Sequence, residues 1–137
     1  MHSFDLAKSA IIRGVILHGY FKNIDHPKFF LIIGEHEDDL CGLFFVNSNI
    51  NFFTKKHPEF FEMQMLIRKS DYHFLDYDSF IDATKIRTLN KKSIATDICN
   101  QKTQIKGSLT ENDLDMLLDA VRASKLFSKI EKDNFFG

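Results

Sequence analysis

The chain has 137 residues, a length typical of one compact domain. Its 44% hydrophobic and 27% charged residues exclude a disordered tail, and its net charge of −1 gives no overall attraction to a polyanion or a membrane surface. Any contact with nucleic acid must therefore come from a local patch. The absence of repeats and low-complexity runs predicts a single domain over residues 1–137.

The amino-terminal part predicts one short helix and three strands. The helix covers residues 3–11, where apolar side chains recur at helical spacing. Strands are predicted at residues 14–21, 28–33 and 40–46, because each is an apolar run bounded by turn-forming residues. The acidic turn at residues 35–39 separates the last two runs, which predicts a hairpin.

The rest of the chain predicts short strands followed by helices. Strands are expected at residues 62–68, 79–82 and 85–89, and helices at residues 90–100 and 110–127. The resulting pattern of five or six short strands indicates a mainly β fold with some helix. It predicts a small, strongly bent sheet or half-open barrel, with the carboxyl-terminal amphipathic helix packed against it.

The carboxyl-terminal helix carries the clearest helical signal. Thr110 and Asp113 are spaced as in a capping box, and leucines follow on one helix face. The segment after the helix is polar from Ser128 until Phe135, so residues 128–137 are predicted to form a loose tail.

Phenylalanine is unusually frequent, with fifteen in the chain and no Trp. Successive side chains of a strand point to opposite faces, so a Phe doublet in a strand places one ring on each face. This predicts a sheet covered on both faces, and leaves open whether the outer rings belong to the core or to a homodimer interface. The doublets lie at residues 29–30, 44–45, 52–53, 60–61 and 135–136.

Several classes of protein lack their signature here. The sequence has no apolar run long enough for a membrane span and no secretory signal, so we expect a cytoplasmic protein. Cys41 and Cys99 lack metal-ligand spacing and are expected to be reduced, with a disulfide as the alternative. Phosphate-loop, dinucleotide and zinc-protease motifs are missing, so we expect no cofactor and no metal. The acidic residues around His36, and the pair Asp76 and Asp78, are interpreted as solvated turns.

Two segments carry residue types that RNA cleavage requires. Residues 25–28 (Asp-His-Pro-Lys) enter one predicted strand, and residues 47–51 (Asn-Ser-Asn-Ile-Asn) follow the next. If the strands are neighbours, Lys28 lies near Ser48. Cleavage needs a stabilised phosphorane charge, a held phosphate and a proton transfer. Lys28, Ser48 and His26 are the candidates for these roles in that order.

Contacts with RNA outside the reacting phosphate are expected from the same region. Asn47 and Asn49 have amide groups suited to bases or phosphate, and Lys55 with Lys56 forms a basic patch beside a Phe doublet. Each of these residues also has a purely structural explanation, since Asn and Ser are favoured in turns and surface lysines are common.

The order of the segments resembles the MazF/PemK family of toxin endoribonucleases. Residues 75–89 (LDYDSFIDATKIRTL) are similar to that family's late pattern, and residues 105–110 (IKGSLT) to its closing turn before a helix. Residues 28–34 and 42–49 resemble two of its central strands. The resemblance covers roughly residues 14–127 and leaves residues 1–13 as an amino-terminal extension.

This resemblance implies a small SH3-like half-open barrel that forms a homodimer and cuts single-stranded RNA without metal. A partner antitoxin protein would hold it inactive. The family's catalytic Arg and its Thr or Ser correspond to Lys28 and Ser48, and Arg87 is expected to contact RNA. Lys28 departs from the family Arg, and Pro27 precedes it where the family has a following proline. The alternatives are a catalytically impaired barrel that binds RNA or protein, and a structural dimer with no nucleic-acid role.

Overall fold

Seven antiparallel strands form the framework of residues 3–47 and 63–137, the part of the chain that the computed structural model describes. The strands are β1 (Val15–Gly19), β2 (Lys28–His36), β3 (Asp39–Asn47), β4 (Gln64–Ile67), β5 (Ser79–Asp82), β6 (Arg87–Asn90) and β7 (Thr103–Ser108). The helices are α1 (Ser3–Ala10), α2 (Lys91–Cys99), α3 (Glu111–Ala123) and the single turn α4 (Lys129–Glu131), which continues into a π-helical turn at Lys132–Phe136.

The strands make one open sheet in the order β4-β5-β3-β2-β1-β7, and β6 pairs with β3 beside β5. β4 and β7 lie at the two ends of this path, which does not close among the described residues. The predicted mainly β, half-open fold with a carboxyl-terminal helix is therefore confirmed. The sequence does not predict β7, because residues 103–108 are mostly polar. In the structure most of these residues are exposed.

The sheet is covered on both faces, as the Phe doublets in β2 and β3 predict. Phe29 and Phe45 pack in the hydrophobic cluster under α3, whereas Phe30 and Phe44 pack in the cluster under α1 and α2. The rings of Phe30 and Phe44 lie 5.1 Å apart across the two strands. The rings of these two doublets therefore pack on both faces within one chain, with Phe29 and Phe44 half-buried. The doublets at 52–53 and 60–61 lie outside the described residues.

The helices close the two clusters with a few buried aliphatic side chains. Ile94 of α2 and Ile11, just after α1, are buried on one side of the sheet, and Leu117 and Val121 of α3 are buried on the other. Burial of each such side chain contributes about 1.5–3 kcal/mol to stability. The amino-terminal extension is therefore part of the fold, because α1 packs on α2 and on the sheet.

The hairpin between β2 and β3 is confirmed, but its turn is tighter than predicted. β2 continues through Gly34 to His36, and the turn consists of Glu37 and Asp38, with Glu37 in the left-handed region at φ 55°. The register shifts between Ile32 and Gly34. Gly34 lies within the strand and does not end it. The backbone of Phe135 packs against Gly34 in the space that a side chain would occupy, so a glycine is needed there.

Side-chain caps start the two long helices where the sequence predicts. The Asn90 side chain accepts a hydrogen bond from the Ser93 amide at 3.0 Å, and Thr110 Oγ1 accepts one from the Asp113 amide at 3.2 Å. α3 is shorter than the predicted helix over residues 110–127, because Ser124 adopts an extended conformation. The chain then turns so that Phe127 packs against Phe136.

The prediction of a loose tail is wrong. Residues 129–137, the carboxyl-terminal strap, fold back onto β2 and bury Phe135 and Phe136. Arg13 donates hydrogen bonds to the carbonyl oxygens of Ile33 at 2.8 Å and Phe135 at 2.9 Å, and Arg122 donates to that of Phe136 at 2.6 Å. The polar residues of the segment lie on its outer side. Composition alone therefore predicts a solvated tail and does not reveal the two rings that anchor it.

Both cysteines are free thiols, as predicted. Cys41 is buried in β3 and Cys99 is exposed at the end of α2. Burial raises the pKa of the Cys41 thiol to about 12, so it remains protonated and behaves as a core residue.

Candidate functional site

The start of β2 and the end of β3 meet at one end of the sheet, called here the Lys28 end. Lys28 pairs with Gly19 at the end of β1, and Asn47 pairs with Ser79 at the start of β5. β2 and β3 are direct neighbours in antiparallel register. The two segments therefore run to the same end of the sheet, where the pairing of β2 with β3 extends as far as Phe30 and Phe44. The side chain of Asn47, together with Ser48, Asn49, Lys55 and Lys56, lies outside the described residues.

Lys28 is held in place by an aromatic ring. Its ammonium nitrogen lies 5.6 Å from the centroid of the half-buried Phe44 ring, and the side chain itself is half-buried. Such a cation–π contact contributes about 0.5–1 kcal/mol at a partly exposed site. It restrains a flexible side chain and keeps one positive charge at the end of the sheet, where a phosphate can approach from solvent.

His26 is oriented by the residue before it. Its Nδ1 lies 2.8 Å from Oδ1 of Asp25, and both side chains are exposed in the loop between β1 and β2. The hydrogen bond with His26 lowers the pKa of Asp25, so this carboxylate is ionised and can only accept. Nδ1 of His26 is then the donor. The hydrogen bond orients the ring, and a ring oriented in this way is what a group that transfers a proton requires.

Arg87 does not join this group. It lies at the start of β6 opposite Gly42, five residues before Asn47 along β3. At about 3.3 Å per residue, this separates the two positions by about 16 Å along the strand. Arg87 is exposed and borders the sheet at a distance from Lys28.

A second cluster at the Lys28 end was missed by the sequence reasoning. The His18 ring lies 4.4 Å from that of Phe29, which in turn lies 5.5 Å from both Phe45 and Phe74. These four residues, the His18 cluster, occupy the face of the sheet opposite to Lys28. One signal was present in the sequence: His18 follows Ile16 by two residues in an apolar strand, which directs both to the same face.

The charges around His18 come from two other elements. Burial lowers the pKa of His18, and the positive charge of Lys106 on β7 lowers it further, while Asp76 in the loop before β5 acts in the opposite direction. His18 is therefore neutral at pH 7. The ring remains only partly buried, as do Phe29 and Phe74.

Asp78, one of the two carboxylates of the Asp-x-Asp segment before β5, has a structural role. Asp78 Oδ1 accepts a hydrogen bond from the Lys69 amide at 2.9 Å and shapes the loop before β5. In residues 3–47 and 63–137, no group of three His, Cys, Asp or Glu side chains is arranged to hold a metal ion. No helix in the same part of the chain combines the length and apolarity of a membrane span.

Comparison with known proteins adds no family assignment. Neither a protein-family model nor a curated protein sequence matches the chain. The function must therefore be argued from the residues at the Lys28 end of the sheet.

Proposed function

We propose that this protein is an endoribonuclease that cuts single-stranded RNA without a metal ion. The observation that supports it best is the placement of Lys28. Its half-buried side chain reaches the Phe44 ring of β3 near the end of the sheet, and His26, hydrogen-bonded to Asp25, lies two residues before it in the chain. A cation and an imidazole at one strand entry are residue types that transfer of a phosphoryl group within RNA uses.

In the proposed reaction, Nε2 of His26 removes the proton from a ribose 2′-hydroxyl. The 2′-oxygen attacks the adjacent phosphorus, and Lys28 stabilises the negative charge on the phosphorane oxygens. The bond to the 5′-oxygen then breaks, water supplies the proton that this leaving oxygen takes up, and the proton on His26 returns to the resulting hydroxide. The products are a 2′,3′-cyclic phosphate and a free 5′-hydroxyl. Ser48 is assigned to a phosphate oxygen as a hydrogen-bond donor.

The biological role that we propose follows the MazF/PemK resemblance. The protein would act in the cytoplasm as the toxin of a toxin–antitoxin pair, as a homodimer held inactive by a protein antitoxin. Asn47, Asn49, Lys55, Lys56 and Arg87 are proposed to contact RNA outside the reacting phosphate. The mainly β half-open sheet with a carboxyl-terminal helix is consistent with this proposal.

The test is incubation of the purified protein with a long unstructured RNA in excess EDTA, with analysis of the fragments and their ends. We expect discrete fragments with cyclic phosphate ends, and a loss of at least about 100-fold in rate for Lys28→Ala, since general catalytic groups contribute about 10²–10⁴-fold. The matched control is Lys125→Ala, because Lys125 is an exposed lysine beyond the end of α3. Equal melting temperatures establish that both variants fold. Cleavage by Lys28→Ala at the parental rate would contradict the assignment.

A second candidate is an RNA- or protein-binding module without activity. It is favoured by the ammonium group of Lys28, which cannot reproduce the two parallel hydrogen bonds of an arginine to a phosphate. In that case RNA binds with a salt-dependent affinity but remains intact after long incubation. Lys28→Arg separates the two functions: it would raise a weak cleavage rate in an enzyme and leave a pure binding protein inactive.

A further inference from the structure

The His18 cluster has the geometry of a stacking surface that the fold leaves partly open. Phe45, at its base, is 5% exposed, whereas His18, Phe29 and Phe74 retain intermediate exposure. Phe74 packs over Gly107 of β7, where a side chain would come within 3.3 Å of its ring. The three partly exposed rings lie at the edge of the core and form a shallow aromatic floor. The planes of neighbouring rings are tilted by 43°, 33° and 47° for His18–Phe29, Phe29–Phe45 and Phe29–Phe74.

The surroundings of this floor are polar and carry both signs of charge. Lys106 and Asp76 act on His18 from two different elements, β7 and the loop before β5. Two tyrosines are exposed: Tyr20 directly follows β1 with 60% of its surface accessible, and Tyr77 directly follows Asp76 with 56% accessible. Aromatic faces next to a lysine are the means by which proteins hold unpaired bases and their phosphates.

We propose that the His18 cluster binds one nucleobase of the single-stranded RNA, with Lys106, on the strand that pairs with β1, on the adjacent phosphate. This inference rests on the proposed function. The base stacks on the His18 ring, which lies 4.4 Å from Phe29 and is tilted by 43° to it. His18 is thereby an RNA-binding residue, separate from the cleavage group.

The register of β1 and β2 places this site next to the cleavage group. His18 pairs with Phe29, and the next pair along the strands is Gly19 with Lys28. Consecutive residues of a strand point to opposite faces, so the stacking surface and Lys28 lie on either side of the same strand end. An RNA strand that crosses this end reaches both without a change in the sheet.

The test measures binding without cleavage, in a Lys28→Ala background in EDTA. Fluorescence anisotropy is followed with labelled single-stranded oligoadenylate and oligouridylate. We expect tighter binding of oligoadenylate, and we expect His18→Ala to weaken it by about 5- to 100-fold, in line with the loss of one base–aromatic stack. His18→Phe, which keeps a ring, restores most of the affinity. The matched control is His36→Ala, since His36 is an exposed histidine at the other end of β2.

The outcomes separate this inference from the proposed function. If the parent protein cleaves RNA but His18→Ala and His18→Phe bind both oligonucleotides as the background variant does, only the nucleobase site is refuted. If the parent neither binds nor cleaves RNA, both proposals fall together. A loss of binding in His18→Phe as large as that in His18→Ala would also refute stacking, because the phenyl ring preserves the aromatic face.

Discussion

Replacement of Gly34 by alanine is expected to release the carboxyl-terminal strap. A Cβ atom at Gly34 would lie 2.0 Å from the carbonyl oxygen of Phe135 and 2.8 Å from its carbonyl carbon. Both are backbone atoms and cannot rotate away as a side chain would. The strap must therefore lift from β2, or β2 must distort and disturb its pairing with β3.

The structure sets the size of this effect. Phe135 and Phe136 are 9% and 1% exposed, and their burial contributes about 1.5–3 kcal/mol each, so lifting both forfeits about 3–6 kcal/mol. The hydrogen bonds from Arg13 and Arg122 to the strap carbonyls are lost as well. The regained freedom of the released segment offsets part of this loss. We therefore expect Gly34→Ala to reduce the free energy of unfolding by about 2–4 kcal/mol.

Urea unfolding followed by far-ultraviolet circular dichroism measures this loss, and a double-mutant cycle with Phe136→Ala tests its cause. If the strap is already displaced by Gly34→Ala, Phe136→Ala costs less in that background than in the parent. Gly107→Ala is the control, because its new methyl group meets only the Phe74 side chain, at 3.3 Å. Strict additivity of the two substitutions, or a Gly34→Ala protein as stable as the parent, would refute the reasoning.

Two further effects follow from polar groups around α3 and the His18 cluster. The Tyr72 hydroxyl donates a hydrogen bond to Asp113 at 2.5 Å and accepts one from the Thr110 amide at 3.1 Å. Tyr72→Phe should therefore lower the free energy of unfolding, measured by urea titration, by about 1–3 kcal/mol. An unchanged urea midpoint would contradict this role. The pKa of His18 is lowered from its ordinary value of 6.5 by burial and by Lys106, so the unfolded chain binds this proton more tightly than the folded one. The stability that the folded state gains by holding His18 neutral is fully present above pH 6.5, and it is lost as the pH falls below that value. The melting temperature of the parent should therefore fall more between pH 7 and pH 5 than that of His18→Phe, and equal decreases would show that His18 carries no such linkage.

Much of the fold could be predicted from local patterns. The hairpin of β2 and β3 follows from two apolar runs around an acidic turn, and the starts of α2 and α3 follow from the caps Asn90 and Thr110. These features are encoded within a few residues of where they occur. The two-sided sheet was predictable for the same reason, since strand alternation alone sends Phe29 and Phe30 to opposite faces.

The features that could not be predicted depend on contacts between distant parts of the chain. Arg13 and Phe135 are 122 residues apart in the sequence, and only the folded sheet brings the guanidinium to that carbonyl group. In the sequence, Gly34 is typical of a strand end. Its actual role depends on the strap, whose backbone fills the space that a side chain at Gly34 would need. In the candidate site, the adjacency of Lys28 to the end of β3 followed from the hairpin. The environment of His18 did not, because Lys106 and Phe74, which packs against the neighbouring Phe29, come from later elements.

The positions of Lys28 and His18 determine how RNA must approach if both proposals hold. The two side chains lie on opposite faces of the sheet, in neighbouring pairs of the same two strands. A strand of RNA lying flat on either face would reach only one of them. It must therefore cross the sheet end, over the loop that joins β1 to β2 and carries Asp25 and His26. In this arrangement the loop that carries the proton-transfer group lies on the path between the group that stabilises the phosphorane and the surface that holds the base.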